Sequence, residues 1–148
     1  MYHVVTDIYD QHDYDQNPEN FRKSYSGYNG KADSFNLLYK NEQIYIPDLP
    51  FFMSEFGGIK WIPESKRKGA ADNSWGYGNA PKTKEELIER YAGLTNALLD
   101  NYRMFGFCYT QLYDVEQEVN GLMTYERKFK LDPKIFYDIN TRKAAIEK

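Results

Sequence analysis

The run Pro50-Phe51-Phe52-Met53-Ser54-Glu55 constrains the fold more than any other part of the chain. It is short, nearly continuous in apolar character, and ends on a carboxylate. A strand with one wet face alternates polar and apolar residues. An unbroken apolar run belongs instead to a strand buried on both faces, as in a parallel sheet. Phe56-Gly57-Gly58 then turns the chain. The preceding stretch from Ile44 is interrupted by Pro47 and Pro50, which confines the strand to its last residues.

The flanking sequence reads as helices and further strands. Val4-Val5-Thr6-Asp7-Ile8-Tyr9 reads as a first strand, followed by the polar cluster Asp10 to Asn17. Asn17-Pro18-Glu19 is a helix start, with Asn as N-cap and Pro in the first turn, and that helix ends near Gly27. Residues 27 to 43 are polar, with a weak helical patch at Phe35 to Leu38. After the central strand, residues 59 to 82 form a long loop holding Trp61, Trp75 and Tyr77. A loop of that length is usually functional or disordered. Thr83-Lys84-Glu85-Glu86 has the capping-box pattern, and Leu87, Tyr91, Leu94 and Leu98 make one apolar stripe on the helix it opens. That helix stops before Gly106, and Phe107 to Leu112 reads as a third strand. Asn120-Gly121 turns into a fourth apolar segment, Leu122 to Tyr125, and Asp132-Pro133 caps a final helix.

Strand, helix, strand, helix, strand is the order of an α/β fold with a parallel sheet. The polar residues gather at the C-terminal ends of the strands: Ser54 and Glu55 on one, Thr110, Gln111 and Asp114 on the other. Barrel enzymes keep their chemistry there. A complete eightfold barrel takes about 250 residues, and this chain of 148 holds roughly three βα units. The expected architecture is therefore part of a (β/α)8 barrel with parallel strands.

Charge and hydropathy exclude other classes. Nineteen Lys and Arg against 22 Asp and Glu give a net charge of −3, which disfavours nucleic acid as a partner. The basic run Lys66-Arg67-Lys68 reads as a solvated loop. No stretch approaches the roughly 20 apolar residues of a membrane span, and Met1-Tyr2-His3-Val4 opens no signal sequence. The single Cys108 rules out an internal disulfide framework. Fourteen Tyr in a chain that is 17% aromatic suit a surface that binds flat, hydroxylated molecules such as sugars, although composition alone favours half-exposed core positions.

Glu55 is the sharpest single candidate. A carboxylate at the end of a buried strand, followed by glycines that allow close approach, is costly unless polar groups converge on it. The alternative is a structural carboxylate paired with an Arg or capping a helix. His12 and Asp13 are metal ligands by residue type, but two without a third make no site, and neither metal nor cofactor is expected. Trp61, Trp75 and Tyr77 either stack on a sugar as lid residues or pin their loop to the body of the domain.

Three motifs resemble glycoside hydrolase family 2, the family of β-galactosidases, β-glucuronidases and β-mannosidases. Pro50 to Gly58 resembles its nucleophile strand. Gly106-Phe107-Cys108-Tyr109-Thr110-Gln111-Leu112-Tyr113-Asp114 and the following Val115 to Leu122 resemble the last barrel strand and loop of the β-galactosidase-like members. Thr124 to Lys130 matches the lead into their closing helix. The motifs stand in the family's order, so the resemblance covers nearly the whole chain as the C-terminal segment of the catalytic barrel.

The resemblance implies a retaining β-glycosidase in which one carboxylate attacks the anomeric carbon and a second protonates the leaving oxygen. Glu55 matches the nucleophile. Tyr14, with Tyr9 as the alternative, matches the family's Tyr beside it. Tyr109 stands where the family often has Trp, and Gln111, Asp114 and the loop residue Trp75 are the remaining candidates for sugar contact. Gln111 and Asp114 read equally as partners of strand-end backbone groups. The family's acid/base is the Glu of an Asn-Glu pair on an earlier strand. Asn41-Glu42 is the only such pair here, follows no apolar strand, and is read as a decoy. The segment Val119 to Leu122 lacks the Asn-x-Lys with which glucuronidases hold a sugar carboxylate, so the implied substrate is a neutral β-galactoside or related glycoside. The implied partner is the upstream part of the same barrel, and open strand edges favour association, including homo-oligomers. A non-catalytic carbohydrate-binding fragment or a truncated product is the rival reading.

Overall fold

Three strands pair in parallel in the order β1 (Tyr9–Asp13), β2 (Phe51–Gly57) and β3 (Met104–Thr110). This computed structural model describes residues 5–35, 38, 45–63 and 73–148. Met1 to Val4, Asn41-Glu42 and Lys66-Arg67-Lys68 lie outside the described residues. Helix α1 (Pro18–Tyr25) lies between β1 and β2, α2 (Lys84–Leu99) between β2 and β3, and α3 (Pro133–Asn140) after β3. The fold is thus α/β, with parallel strands alternating with helices. The sheet is not closed into a barrel, and β1 and β3 are its edges among the described residues.

Local signals start each helix. Asn17 Oδ1 accepts from the amides of Glu19 and Asn20 at 2.9 and 3.1 Å, and Asp132 Oδ1 accepts from Lys134 N at 2.9 Å. Thr83 Oγ1 accepts from Glu86 N at 3.2 Å, yet the return bond of a capping box is displaced by one residue. Glu86 Oε2 accepts from Lys82 N at 2.8 Å.

The first strand begins at Tyr9, and Val5 to Ile8 precede it. Val5 is 92% exposed, and the polar cluster after Tyr9 is itself the strand. Its polar residues can face the helices because a partner waits for them. Gln11 Nε2 donates to the Tyr25 hydroxyl at 2.7 Å, and that hydroxyl donates to Asp13 Oδ2 at 2.5 Å. Buried polar groups satisfied in this way escape most of the desolvation penalty. Leu122 to Tyr125 forms no sheet strand either. Met123 makes only isolated bridges, to Tyr113 and Phe129.

The core lies between the sheet and the helices. Tyr9, Phe51, Met53 and Phe56 meet Phe21 and Tyr25 of α1 and Leu87, Tyr91, Leu94 and Leu98 of α2. Each such side chain contributes about 1.5–3 kcal/mol by burial. Strand alternation turns the intervening residues the other way. On that second face His12, Phe52, Ser54, Glu55 and Thr110 are half-buried, and Phe105 and Cys108 are exposed. The helices therefore cover one face and leave the other, with Glu55, open among the described residues.

Candidate functional site

Glu55 sits near the C-terminal end of the central strand, where register shifts interrupt both ladders: between Gln11 and His12 on β1, and between Met53 and Phe56 on β2. The irregularity places Ser54 and Glu55 next to each other on the half-buried side. Ser54 Oγ donates to Asp10 Oδ2 of β1. Glu55 keeps 39% of its side chain exposed.

Three neighbours converge on one oxygen of Glu55. The Tyr14 hydroxyl donates to Oε2, Thr110 Oγ1 donates to it at 3.3 Å, and His12 Nδ1 lies 3.7 Å away. Oε1 has no hydrogen-bond partner among the described residues. The carboxylate is therefore held by one oxygen and presents the other. Burial pushes the Tyr14 phenol well above its ordinary range, and its hydrogen bond to Glu55 pushes it the same way. Tyr14 is consequently a neutral donor at any physiological pH, suited to stabilising a carboxylate charge.

The loops beyond the strands complete the wall of the site. Tyr77 stacks flat on Tyr14, with ring centroids 3.6 Å apart and planes 2° from parallel, and Trp75 meets Tyr77 edge-on at 5.9 Å. Gln16 Nε2 donates to Gly57 O and, at 3.1 Å, to Tyr14 O, tying the exit of β1 to that of β2. Gly57 and Gly58 have φ of 82° and 61°, a conformation that disfavours any side chain. A Cβ on Gly57 would strike the Tyr109 ring, and one on Gly58 the Tyr77 ring. The paired glycines thus give the backbone its turn and the two aromatic rings their room.

The residues singled out in the sequence have distinct surroundings. Tyr14 and Glu55 are bonded to each other. Tyr9 faces the core at 0% exposure, against Phe51 and Tyr45. The Tyr109 ring packs on Phe56 and Tyr91, and its hydroxyl accepts from Ile59 N at 3.2 Å. Burial drives that phenol upward too. Gln111 directly follows Thr110, and its Nε2 is buried without a hydrogen-bond partner among the described residues. Asp114 accepts from Gly121 N at 2.9 Å and from Lys130 Nζ at 2.7 Å, and both contacts are structural. Trp75 is 46% exposed. Trp61 is 4% exposed and fixes its loop, its amide donating to Val119 O at 3.0 Å. His12 and Asp13 point to opposite faces of β1, so they cannot hold one ion together.

Two features of the site were not found in the sequence. The contact of His12 with Glu55 depends on the β1–β2 register. The hold of Lys130 on the loops is a long-range pairing, with Nζ donating to Trp61 O at 2.7 Å and Val119 O at 3.0 Å as well as to Asp114. No family model matches this chain, and no curated protein matches it.

Proposed function

We propose that this chain is the C-terminal segment of the (β/α)8 catalytic barrel of a retaining β-glycosidase of the family 2, β-galactosidase-like kind, and that Glu55 is its nucleophile. The observation that carries the reading is the asymmetric hold on Glu55: a neutral phenol and a hydroxyl on Oε2, and an Oε1 with no hydrogen-bond partner among the described residues. A carboxylate that attacks carbon needs one oxygen fixed and the other presented. Its place at the C-terminal end of a parallel strand is where barrel sites are built. The sheet face left open among the described residues supports the same reading. All-parallel sheets are almost always covered on both faces, and the inner face of a barrel segment is covered only when the other strands close around it.

In this reading Glu55 Oε1 attacks the anomeric carbon and forms a glycosyl ester. A second carboxylate about 5 Å away protonates the leaving oxygen and then activates water. That acid/base belongs to an upstream barrel strand ending in Asn-Glu. Tyr14 and Thr110 hold Glu55 in line through both steps. Gln111, whose buried Nε2 has no hydrogen-bond partner among the described residues, is assigned to a sugar hydroxyl, and Trp75 to an outer sugar ring. Neutral β-galactosides are the substrate class, because nothing in Val119 to Leu122 offers a cation to a uronic acid.

The test is complementation. The 148-residue chain is mixed with the upstream half of a family 2 barrel that carries the Asn-Glu strand, and nitrophenyl β-galactoside turnover is followed. Turnover from the mixture that disappears with Glu55→Gln supports the reading. Equal turnover from the Glu55→Gln mixture contradicts it.

A further inference from the structure

We infer that Tyr77 is a positioning residue whose ring, stacked on Tyr14, holds the Tyr14 phenol on Glu55. The inference deepens the glycosidase reading and rests on it only for its kinetic consequence. Tyr14 lies one residue beyond the end of β1, outside the hydrogen-bonded ladder. Backbone pairing therefore does not fix its side chain, and His12 touches it only edge-on, at 6.3 Å and 78°. The flat contact comes from Tyr77 alone among the described residues, at 3.6 Å and 2°.

Tyr77 is itself held from behind. Its amide donates to Gly58 O at 2.9 Å, it bridges in parallel to Ile59, and the edge-on Trp75 packs at 5.9 Å. Gly58 lies immediately below, and its missing side chain leaves the space that the stack occupies. The loop that follows the Glu55 strand thus folds back to clamp the phenol that donates to Glu55. The clamp also removes water from one face of that phenol, in keeping with the upward push that burial exerts on it.

The test reads the Tyr14 phenol directly, by NMR of the chain labelled with 13Cζ-tyrosine. At pH 10, where an exposed tyrosine is about half ionised, wild-type Tyr14 is expected to show the shift of the neutral phenol. Tyr77→Phe keeps the ring and is expected to leave Tyr14 neutral, whereas Tyr77→Leu removes the flat face and is expected to make Tyr14 about half ionised. Tyr25, buried against Asp13 on the other side of β1, serves as the folding control and stays neutral throughout. In the complemented enzyme, Tyr77→Leu is expected to lower kcat at least about tenfold with KM little changed, and Tyr77→Phe to retain activity. A neutral Tyr14 in Tyr77→Leu, or an ionised one in Tyr77→Phe, overturns the inference. Absence of turnover in the wild-type mixture counts against the glycosidase reading alone, because the spectra judge the stack without it.

Discussion

Replacing Lys130 by Met removes a cation whose side chain is 2% exposed and donates to Trp61 O and Asp114 Oδ1 at 2.7 Å and to Val119 O at 3.0 Å. Its partner Asp114 is 12% exposed and would keep only the Gly121 amide. Breaking a buried ion pair from one side costs about 3–5 kcal/mol, because the remaining charge is stranded. The carbonyls behave differently. Val119 O retains the Trp61 amide, so most of the loss falls on Asp114 and Trp61 O. For a chain of this size, 1 kcal/mol moves the melting temperature by about 2–4 °C, so Lys130→Met is expected to melt roughly 10 °C below wild type. Urea unfolding followed by far-UV circular dichroism, with the thermal scan beside it, measures the loss. The double variant Lys130→Met/Asp114→Leu removes both charges and is expected to regain most of it, since apolar replacement of a buried pair is often neutral. A single variant that costs less than about 1 kcal/mol, or a double variant no better than the single, would refute the reasoning. Either result would release Asp114 from its structural role and return it to the candidates for sugar contact.

Gly58→Ala forces a side chain into a positive-φ position against the Tyr77 ring and is expected to cost at least about 1–2 kcal/mol in urea titration. A neutral effect would mean the turn is not held as described. Asp13 is pushed above its ordinary value near 3.8 by burial, against the opposing pull of the Tyr25 hydrogen bond. Because the folded form takes up the proton first, the penalty is complete above the folded pKa and gone below the unfolded one. Wild type is therefore expected to gain stability relative to Asp13→Asn as pH falls from neutral toward 4, and a relative loss would reverse the sign. If the proposed glycosidase reading holds, the complemented protein turns over nitrophenyl β-galactoside faster than the glucuronide, a preference that faster glucuronide hydrolysis would contradict.

How much of this was legible depended on the range of the interaction. The helix starts at Asn17, Thr83 and Asp132 stand in the sequence because a cap bonds amides two or three residues away. Strand β2 was legible because a run buried on both faces needs no partner to be recognised as one. Strand β1 was misplaced because its polar residues are satisfied by distant partners, among them Tyr25, twelve residues beyond Asp13, and Ser54, 44 beyond Asp10. Phe107 to Leu112 was set too late for a related reason. β3 starts at Met104, directly after the turn at Asn101 to Arg103, and Gly106 lies inside it instead of before it. Glu55 and Tyr14 each stand out in the sequence by position, but the stack of Tyr77 on Tyr14 joins residues 63 positions apart. No local pattern encodes such a pairing.

The most direct measurement on the central claim is covalent trapping of Glu55. A 2-deoxy-2-fluoro-β-galactoside with a dinitrophenyl leaving group departs without acid assistance, so the label tests the nucleophile apart from the acid/base. The complemented protein is incubated with it, digested, and sequenced by mass spectrometry. One fluoroglycosyl ester is expected, on the peptide containing Phe51 to Gly57 and at Glu55, and none in the Glu55→Gln variant. An adduct on a different carboxylate, or turnover of the reagent with no ester on Glu55, would contradict it.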